Sequence, residues 1–171
     1  ADPRLSGLLV GQSLYTTPAE IYRALAEATA FGALTIIRRL EAHDVKVRTV
    51  VACGGIAEKS PFILQLYADV LERTVHLSRS AQTCALGAAV AAATVAGLYR
   101  DVPAGQRAMT GLKPQVYRPD RRTRTVYRQL YALYAQLHDA FGTRGGAADL
   151  HGVMKTLLAI RARQRGDSRF L

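Results

Sequence analysis

Two short β-branched segments, each placed between helical segments, constrain the fold of this chain more than any other feature. Residues 45–53 have the sequence VKVRTVVAC and stop at a glycine pair, and residues 74–77 form a second short apolar run. Apolar spacing predicts helices around both segments. The helices are predicted over residues 18–42, 62–72 and 83–99. This alternation predicts an α/β fold with parallel strands joined by helical crossovers, and with the last residues of the first strand fully buried.

Hydroxyl residues mark the predicted helix starts. Thr17-Pro18 with Glu20 gives a capping box, Ser60-Pro61 repeats the cap and proline, and Thr83 is expected to cap the third helix. Glycines and prolines after Asp101 predict an irregular connector. Two further helices are predicted beyond it, over residues 120–141, with a tyrosine-rich stripe and hydroxyls reaching solvent, and over residues 150–165.

Two predicted strands are too few for the helices around them. A pair of parallel strands with both edges free does not form a stable sheet. We therefore expect this chain to be part of a larger domain, or to need strands from elsewhere.

The glycine pair, Gly54 and Gly55, is the strongest candidate site. Ligands of open α/β sheets bind at the carboxyl ends of parallel strands, and adjacent glycines let a ribose or phosphate approach the main chain. The alternative is a tight turn that needs a positive φ. The residues alone are compatible with both interpretations, a nucleotide site and a tight turn. A Walker loop is excluded because Glu58 precedes Lys59-Ser60, and a dinucleotide fingerprint is excluded because it needs three spaced glycines.

Other chemistry has little support in the sequence. The four histidines lack the spacing of metal ligands, and the two cysteines form no CxxC motif. We therefore expect no metal site in this chain, and we also expect no catalytic residue. The small residues of helix 83–99 are interpreted as close packing. No run is long enough to span a membrane, no leader opens the sequence, and two cysteines fit a reducing cytosol, so a cytoplasmic protein is expected.

The net charge of +10 is confined to one part of the chain. Residues 1–99 sum to +1 and residues 100–171 to +9, mostly from arginines. A basic stretch can bind nucleic acid, but this one has no zinc-finger spacing and no aromatic RNA-binding motif. We therefore expect neither a nucleic-acid nor a membrane partner, and we leave a homodimer open.

Three segments together resemble the C-terminal part of the FGGY carbohydrate kinases, and most of all their ribulokinase-like branch. They are TPAEIYRALAEATAFGA, VVACGGIAEKSPFILQLYADVL and QTCALGAAVAAATVAGLYRDVPAGQRAM. The resemblance covers nearly the whole chain. It implies the later half of an actin-like, RNase H-like domain, with a partial nucleotide-binding domain over residues 1–100 and a connector with a helical tail over residues 101–171.

The resemblance also implies a function. Such kinases transfer the γ-phosphoryl group of ATP, with Mg²⁺ on the phosphates, to a sugar in the cleft between two domains. The resemblance implies that the acceptor is a ketopentose, with L-ribulose as the first candidate. By position, Gly54 and Gly55 would approach the ribose and α-phosphate, and Lys59 and Ser60 would lie beside the adenine. The sugar pocket and general base lie upstream in the family. Another FGGY kinase such as a xylulokinase, or a non-catalytic module derived from a kinase end, remains the alternative.

Overall fold

The computed structural model describes residues 7–142 and 153–165. The chain divides into two compact units. The helical unit comprises Ala1–Phe31 and Arg122–Leu171, and the sheet unit comprises Gly32–Arg121. The elements are α1 (Pro18–Glu41), β1 (Thr49–Ala52), α2 (Gly55–Lys59), α3 (Pro61–Leu71), β2 (Thr74–Ser78), α4 (Thr83–Val95), α5 (Val102–Met109), β3 (Leu112–Tyr117), α6 (Arg124–Gly142) and α7 (Val153–Arg165). Within the described residues, no helix is both long and apolar enough to cross a bilayer.

The capping box predicted at the start of α1 is confirmed. The Thr17 N–H donates to Glu20 Oε2 at 2.8 Å, and the Glu20 N–H donates back to Thr17 Oγ1 at 3.3 Å. Two N–H groups that a helix start leaves unpaired are thereby satisfied within the first turn. The segment before it, from residue 7 onward, contains no helix or strand.

The sheet of the sheet unit has three strands in the order β1-β2-β3. β1 and β2 are parallel, as predicted, and β3 runs antiparallel to β2. The predicted irregular connector after Asp101 is wrong, because this stretch forms α5 and β3. Asp101 caps α5 by accepting from the Ala104 N–H at 2.7 Å. Pro114 is tolerated in β3 because β3 is an outer strand, where a missing N–H costs no hydrogen bond on the free side.

The core of the sheet unit lies between β2 and α3. Val75 and Leu77 of β2 pack with Leu64 and Ala68 of α3, and Tyr117 closes the cluster. The prediction that the first strand ends fully buried is wrong. Val51 is 51% exposed, because alternate residues of β1 point to opposite faces of the sheet. Val50 and Ala52 pack against the core, whereas the described residues leave the face of Val51 largely uncovered.

The first strand also begins later than predicted, at Thr49 rather than at residue 45. Arg73 fixes the preceding segment instead. Its guanidinium donates to the Val47 carbonyl at 2.7 Å, to the Leu71 carbonyl at 2.6 Å and to the Glu41 carboxylate. Charge-assisted hydrogen bonds of this kind hold the chain outside the strand ladder.

Helix α4 is apolar on every side, yet most of it is exposed. Val90 is its one buried residue, and α4 packs on α5 around Gly105. The predicted Thr83 cap is wrong: the cap position is Gln82, which makes no capping bond through its side chain. The helix also ends at Val95, four residues earlier than predicted. An apolar helix normally has packing partners on all sides, so the described residues leave most of this surface uncovered.

The helical unit packs aromatic side chains of α6 against Phe31 of α1. Tyr127 and Tyr131 are buried, and their rings lie 6.3 and 6.0 Å from the Phe31 ring. The tyrosine stripe predicted on this helix is therefore confirmed in its buried part, whereas Phe141 at its end is 60% exposed. Residues 150–152 of the predicted last helix lie outside the described residues, and the helix is described from Val153 to Arg165.

Candidate functional site

The carboxyl ends of β1 and β2 lie at one edge of the sheet. Their parallel register pairs Thr49 with Thr74 and Ala52 with Leu77. The residues that follow each strand, Gly54 after β1 and Arg79 after β2, therefore leave the sheet at the same edge. This is the edge at which ligands of open α/β sheets bind.

Gly54 turns the chain from β1 into α2. Its φ of 86° and ψ of 177° belong to a region that is essentially restricted to glycine. The turn reading of the glycine pair is thus confirmed for Gly54, because a side chain at this position would strain the backbone. A ligand is not needed to explain this glycine.

Gly55 has no such requirement. It is the first residue of α2, its φ is not positive, and a β-carbon built on it would meet no described atom within 4 Å. The described chain therefore leaves open space beside the Gly55 main chain at the carboxyl edge of the sheet.

Helix α2 is a single short turn that is held by few side chains. Ala57 is buried in the core cluster, whereas Ile56 is 71% exposed. Glu58 forms an ion pair with Lys113 of β3, with Nζ and Oε1 separated by 2.5 Å. These contacts anchor α2 to the sheet on one side and leave the Gly55–Ile56 side open.

Lys59 and Ser60 complete the predicted set. Lys59 is exposed at the end of α2. Ser60 connects the two helices: its N–H donates to the Ile56 carbonyl at 3.0 Å, and its Oγ accepts from the Ile63 N–H at 3.3 Å. The predicted cap of α3 is confirmed. The structure thus brings all four predicted residues into one continuous segment and gives Ser60 a structural role.

Two cations of this edge were missed by the sequence reasoning. Lys113 lies in the stretch that was predicted to be irregular, so its pairing with α2 was not foreseen. Arg79 follows β2, and its guanidinium lies over Gly111: a β-carbon at Gly111 would be 3.2 Å from Arg79 Cζ. The Arg79 N–H also donates to the Gly111 carbonyl at 2.8 Å. The sequence signal that could have indicated Arg79 was Gly111, directly before β3, because a glycine leaves room for a large neighbouring side chain.

The helical unit has a groove of about 290 Å³ that contains none of the four predicted residues. Its walls are mostly apolar, with Ile21, Leu130 and Ile160 among them. Three charged residues, Glu20, Glu27 and Arg161, also line it, and Arg161 donates to Ser13 Oγ at 2.8 Å. In the residues that the structure describes, no group of three His, Cys, Asp or Glu side chains is placed to hold a metal ion.

Comparison with known proteins places this arrangement in a family. Residues 1–96 match the C-terminal domain of the FGGY family of carbohydrate kinases. The chain belongs to this family. The resemblance read from the sequence is thereby confirmed, and so is the α/β fold class that it implied.

The chain is similar to ribulokinases along most of its length. It is 40% identical to the ribulokinase of Halalkalibacterium halodurans over 99% of this chain and 30% of that protein. It is 45% identical to the ribulokinase of Mycolicibacterium smegmatis over 82% of this chain and 25% of that protein. Among solved structures, the xylulose kinase of Rhodospirillum rubrum superposes with a TM-score of 0.67 and 32% identity, over 82% of this chain and 29% of that one. The chain therefore spans about three tenths of the length of such relatives.

Proposed function

We propose that this chain is the nucleotide-binding portion of a carbohydrate kinase. The kinase transfers the γ-phosphoryl group of ATP to a ketopentose, and L-ribulose, giving L-ribulose 5-phosphate, is the preferred acceptor. The observation that carries the proposal is the identity of 40% to a ribulokinase over 99% of the chain. The proposed preference for L-ribulose rests on the same similarity to a ribulokinase.

The geometry of the carboxyl edge supports nucleotide binding there. Gly55 exposes its main chain beside open space, and Gly54 sets the direction of the turn. In the proposed site, Gly54 and Gly55 approach the ribose and α-phosphate, and Lys59 and Ser60 lie beside the adenine. The exposed Lys59 side chain is free to move toward a bound nucleotide, whereas Ser60 keeps its cap of α3.

The proposed reaction is an in-line displacement in which the enzyme positions the reactants and stabilises charge on the transferred group. Mg²⁺ takes oxygen ligands and commonly binds phosphates with one or two carboxylates. Glu58, the carboxylate of α2, is paired with Lys113. We therefore assign the ion to the phosphates of ATP and name no ligand for it in this chain.

The remaining machinery belongs, in this proposal, to a larger protein. The chain spans 30% of the Halalkalibacterium halodurans ribulokinase, and the exposed apolar surface of α4 supports a protein in which further residues cover it. The sugar site and the general base are assigned to that remainder. We accordingly expect the chain of 171 residues to show no kinase activity alone.

An assay of ADP release tests this proposal on the full-length protein. Wild-type enzyme is given ATP and, separately, L-ribulose, D-xylulose and glycerol, and the chain of 171 residues is assayed in parallel. We expect the highest kcat/KM with L-ribulose and no turnover from the isolated chain. Absence of turnover with any of these acceptors in the full-length protein, or turnover by the isolated chain, would contradict the proposal.

A xylulokinase is the second candidate. The superposition on the Rhodospirillum rubrum xylulose kinase at 32% identity favours it. The same assay separates the two, because a higher kcat/KM with D-xylulose than with L-ribulose would replace the first candidate by the second.

A further inference from the structure

We propose that the ion pair of Glu58 and Lys113 positions the Gly54–Gly55 turn for nucleotide binding. The inference rests on the proposed function of that turn. It adds two positioning residues, which act through the backbone of the turn and do not touch the nucleotide.

The pair joins two different parts of the sheet unit. Glu58 lies in α2, directly after the turn, and Lys113 lies in β3, 55 residues further along the chain. The Lys113 ammonium donates to Glu58 Oε1 at 2.5 Å. About one third of each side chain is exposed, at 34% for Lys113 and 32% for Glu58, so both charges are partly shielded from water. Partial shielding strengthens such a pair relative to one in full solvent.

Lys113 lies between two residues of β3 that pair with β2. Leu112 pairs with Ser78 and Val116 pairs with His76, and the register shifts between these two pairs, so Lys113 lies in the irregular part of the ladder. The flanking pairs hold this part of β3 at the sheet, where Lys113 reaches Glu58.

Helix α2 needs an anchor because its own hydrogen bonds are few. The Glu58 N–H donates to the Gly54 carbonyl at 3.2 Å, and the Ser60 N–H donates to the Ile56 carbonyl at 3.0 Å. Gly54 precedes the helix, and glycine is the residue type with the largest backbone freedom. Ala57 is the one α2 residue that is buried. The ion pair therefore fixes the rotation of α2 about the turn, and with it the direction of the Gly55 main chain.

The pair also controls charge at this edge. Glu58 is three residues from Gly55, and an unpaired carboxylate there would repel the phosphates of a nucleotide. Loss of Lys113 should thus weaken nucleotide binding more than loss of Glu58, because only the first change leaves an uncompensated negative charge. A purely structural pair would predict similar effects for the two changes.

Steady-state kinetics on the full-length protein provides the test, with ADP titration calorimetry as a readout that needs no sugar. We expect Lys113→Gln to raise KM for ATP and Kd for ADP about fivefold, with kcat within about twofold of wild type. Glu58→Gln should raise both less than Lys113→Gln does. The exchanged pair Glu58→Lys with Lys113→Glu should return KM to within about twofold of wild type, because it restores the attraction. Arg100→Gln, which removes the exposed Arg100–Asp101 pair, is the matched control and should leave KM unchanged.

The outcomes separate this inference from the proposed function. Unchanged KM and Kd in Lys113→Gln, when wild type binds ADP, overturn the inference alone. A fall in kcat together with a lower unfolding temperature, and no rescue by the exchanged pair, also overturns it, since the pair would then act on stability. Wild-type protein that binds no ADP overturns the proposed nucleotide site itself.

Discussion

The Tyr127 hydroxyl of α6 donates a hydrogen bond to the Glu27 carboxylate of α1 across 3.1 Å. Arg23, one helical turn before Glu27, donates to the same hydroxyl at 3.0 Å and to the same carboxylate at 2.8 Å. The three polar groups satisfy one another beside the buried ring of Tyr127. The expectation that the tyrosine hydroxyls reach solvent is therefore wrong for Tyr127.

Replacing Tyr127 by phenylalanine should lower stability without changing the fold. The ring keeps its contact with Phe31, but Glu27 and Arg23 each lose one hydrogen bond. We expect a loss of about 1–2 kcal/mol in the free energy of unfolding, measured by urea denaturation followed by circular dichroism. Tyr134→Phe is the control, since within the described residues its hydroxyl has no hydrogen-bond partner. Equal losses in the two variants would count against the Tyr127 network.

The Tyr127 hydroxyl should make the free energy of unfolding depend on pH in the alkaline range. Burial raises the pKa of Tyr127 from 10.0 to about 12, the Glu27 carboxylate adds to the rise, and the Arg23 guanidinium opposes it. Between these two values the unfolded chain has lost the proton while the folded chain keeps it. The contribution of Tyr127 is thus complete below pH 10 and falls as pH rises toward about 12. Unfolding curves of wild type and Tyr127→Phe should therefore converge over this interval, and a constant gap would contradict the assignment.

The two adjacent glycines should respond differently to alanine. Gly54→Ala places a side chain at a φ of 86°, and we expect a loss of about 1–3 kcal/mol in stability. Gly55→Ala adds a methyl group to open space and should change stability by less than about 0.5 kcal/mol. In the proposed kinase, however, that methyl group occupies room for the nucleotide and should raise Kd for ADP. Thermal unfolding and ADP titration of both variants measure the contrast. A Gly55→Ala protein with wild-type affinity for ADP would remove Gly55 from the proposed site.

Ser60 should prove important for stability through its cap. Ser60→Ala leaves the Ile63 N–H without its partner, and we expect a loss of about 1 kcal/mol. Ser60→Thr retains an oxygen at the same place and should recover most of the loss. Asp101→Ala, which removes the cap of α5, serves as the reference for the size of such an effect. If Ser60→Ala unfolds at the same urea concentration as wild type, the cap contributes nothing.

The sequence was sufficient for features that depend on neighbouring residues. The capping box at Thr17 and the cap and proline at Ser60-Pro61 are determined by local signals. The parallel pair of strands follows from the alternation of helices and strands along the chain. The glycine pair was found in the same way, because a strand that ends in two glycines is visible in a single segment.

The features that were missed depend on distant residues or on the neighbourhood of a strand. Pro114 and the polar residues beside it hide β3, which exists because β2 offers a free edge for pairing. Lys113 meets Glu58 only through that pairing, so no spacing in the sequence could indicate the ion pair. Helix α5 was missed although Asp101 and Pro103 give the same start signal as Ser60-Pro61, because Gly105 follows within its first turns and argues against a helix.

Gly105 and a second helical glycine, Gly87, should give opposite results in an alanine scan of the 171-residue chain. Alanine in a helix interior is favoured over glycine by about 1 kcal/mol. At Gly87 in α4 a β-carbon would meet no described atom within 4 Å, so the full gain is expected there. At Gly105 in α5 a β-carbon would lie 3.2 Å from Val90 Cγ1 and 3.3 Å from Tyr99 Cδ2. Overpacking of this kind costs about 1–3 kcal/mol, which exceeds the helical gain.

Urea denaturation of the two variants therefore should show Gly87→Ala above wild type and Gly105→Ala below it by about 1 kcal/mol. A double variant, Gly105→Ala with Val90→Ala, tests the cause. Val90→Ala removes the atom that lies closest to a β-carbon at Gly105. Val90→Ala should therefore cost less stability in the Gly105→Ala protein than it does in wild type. Strict additivity of the two losses, or a gain from Gly105→Ala alone, would show that α4 and α5 do not pack around Gly105 as described.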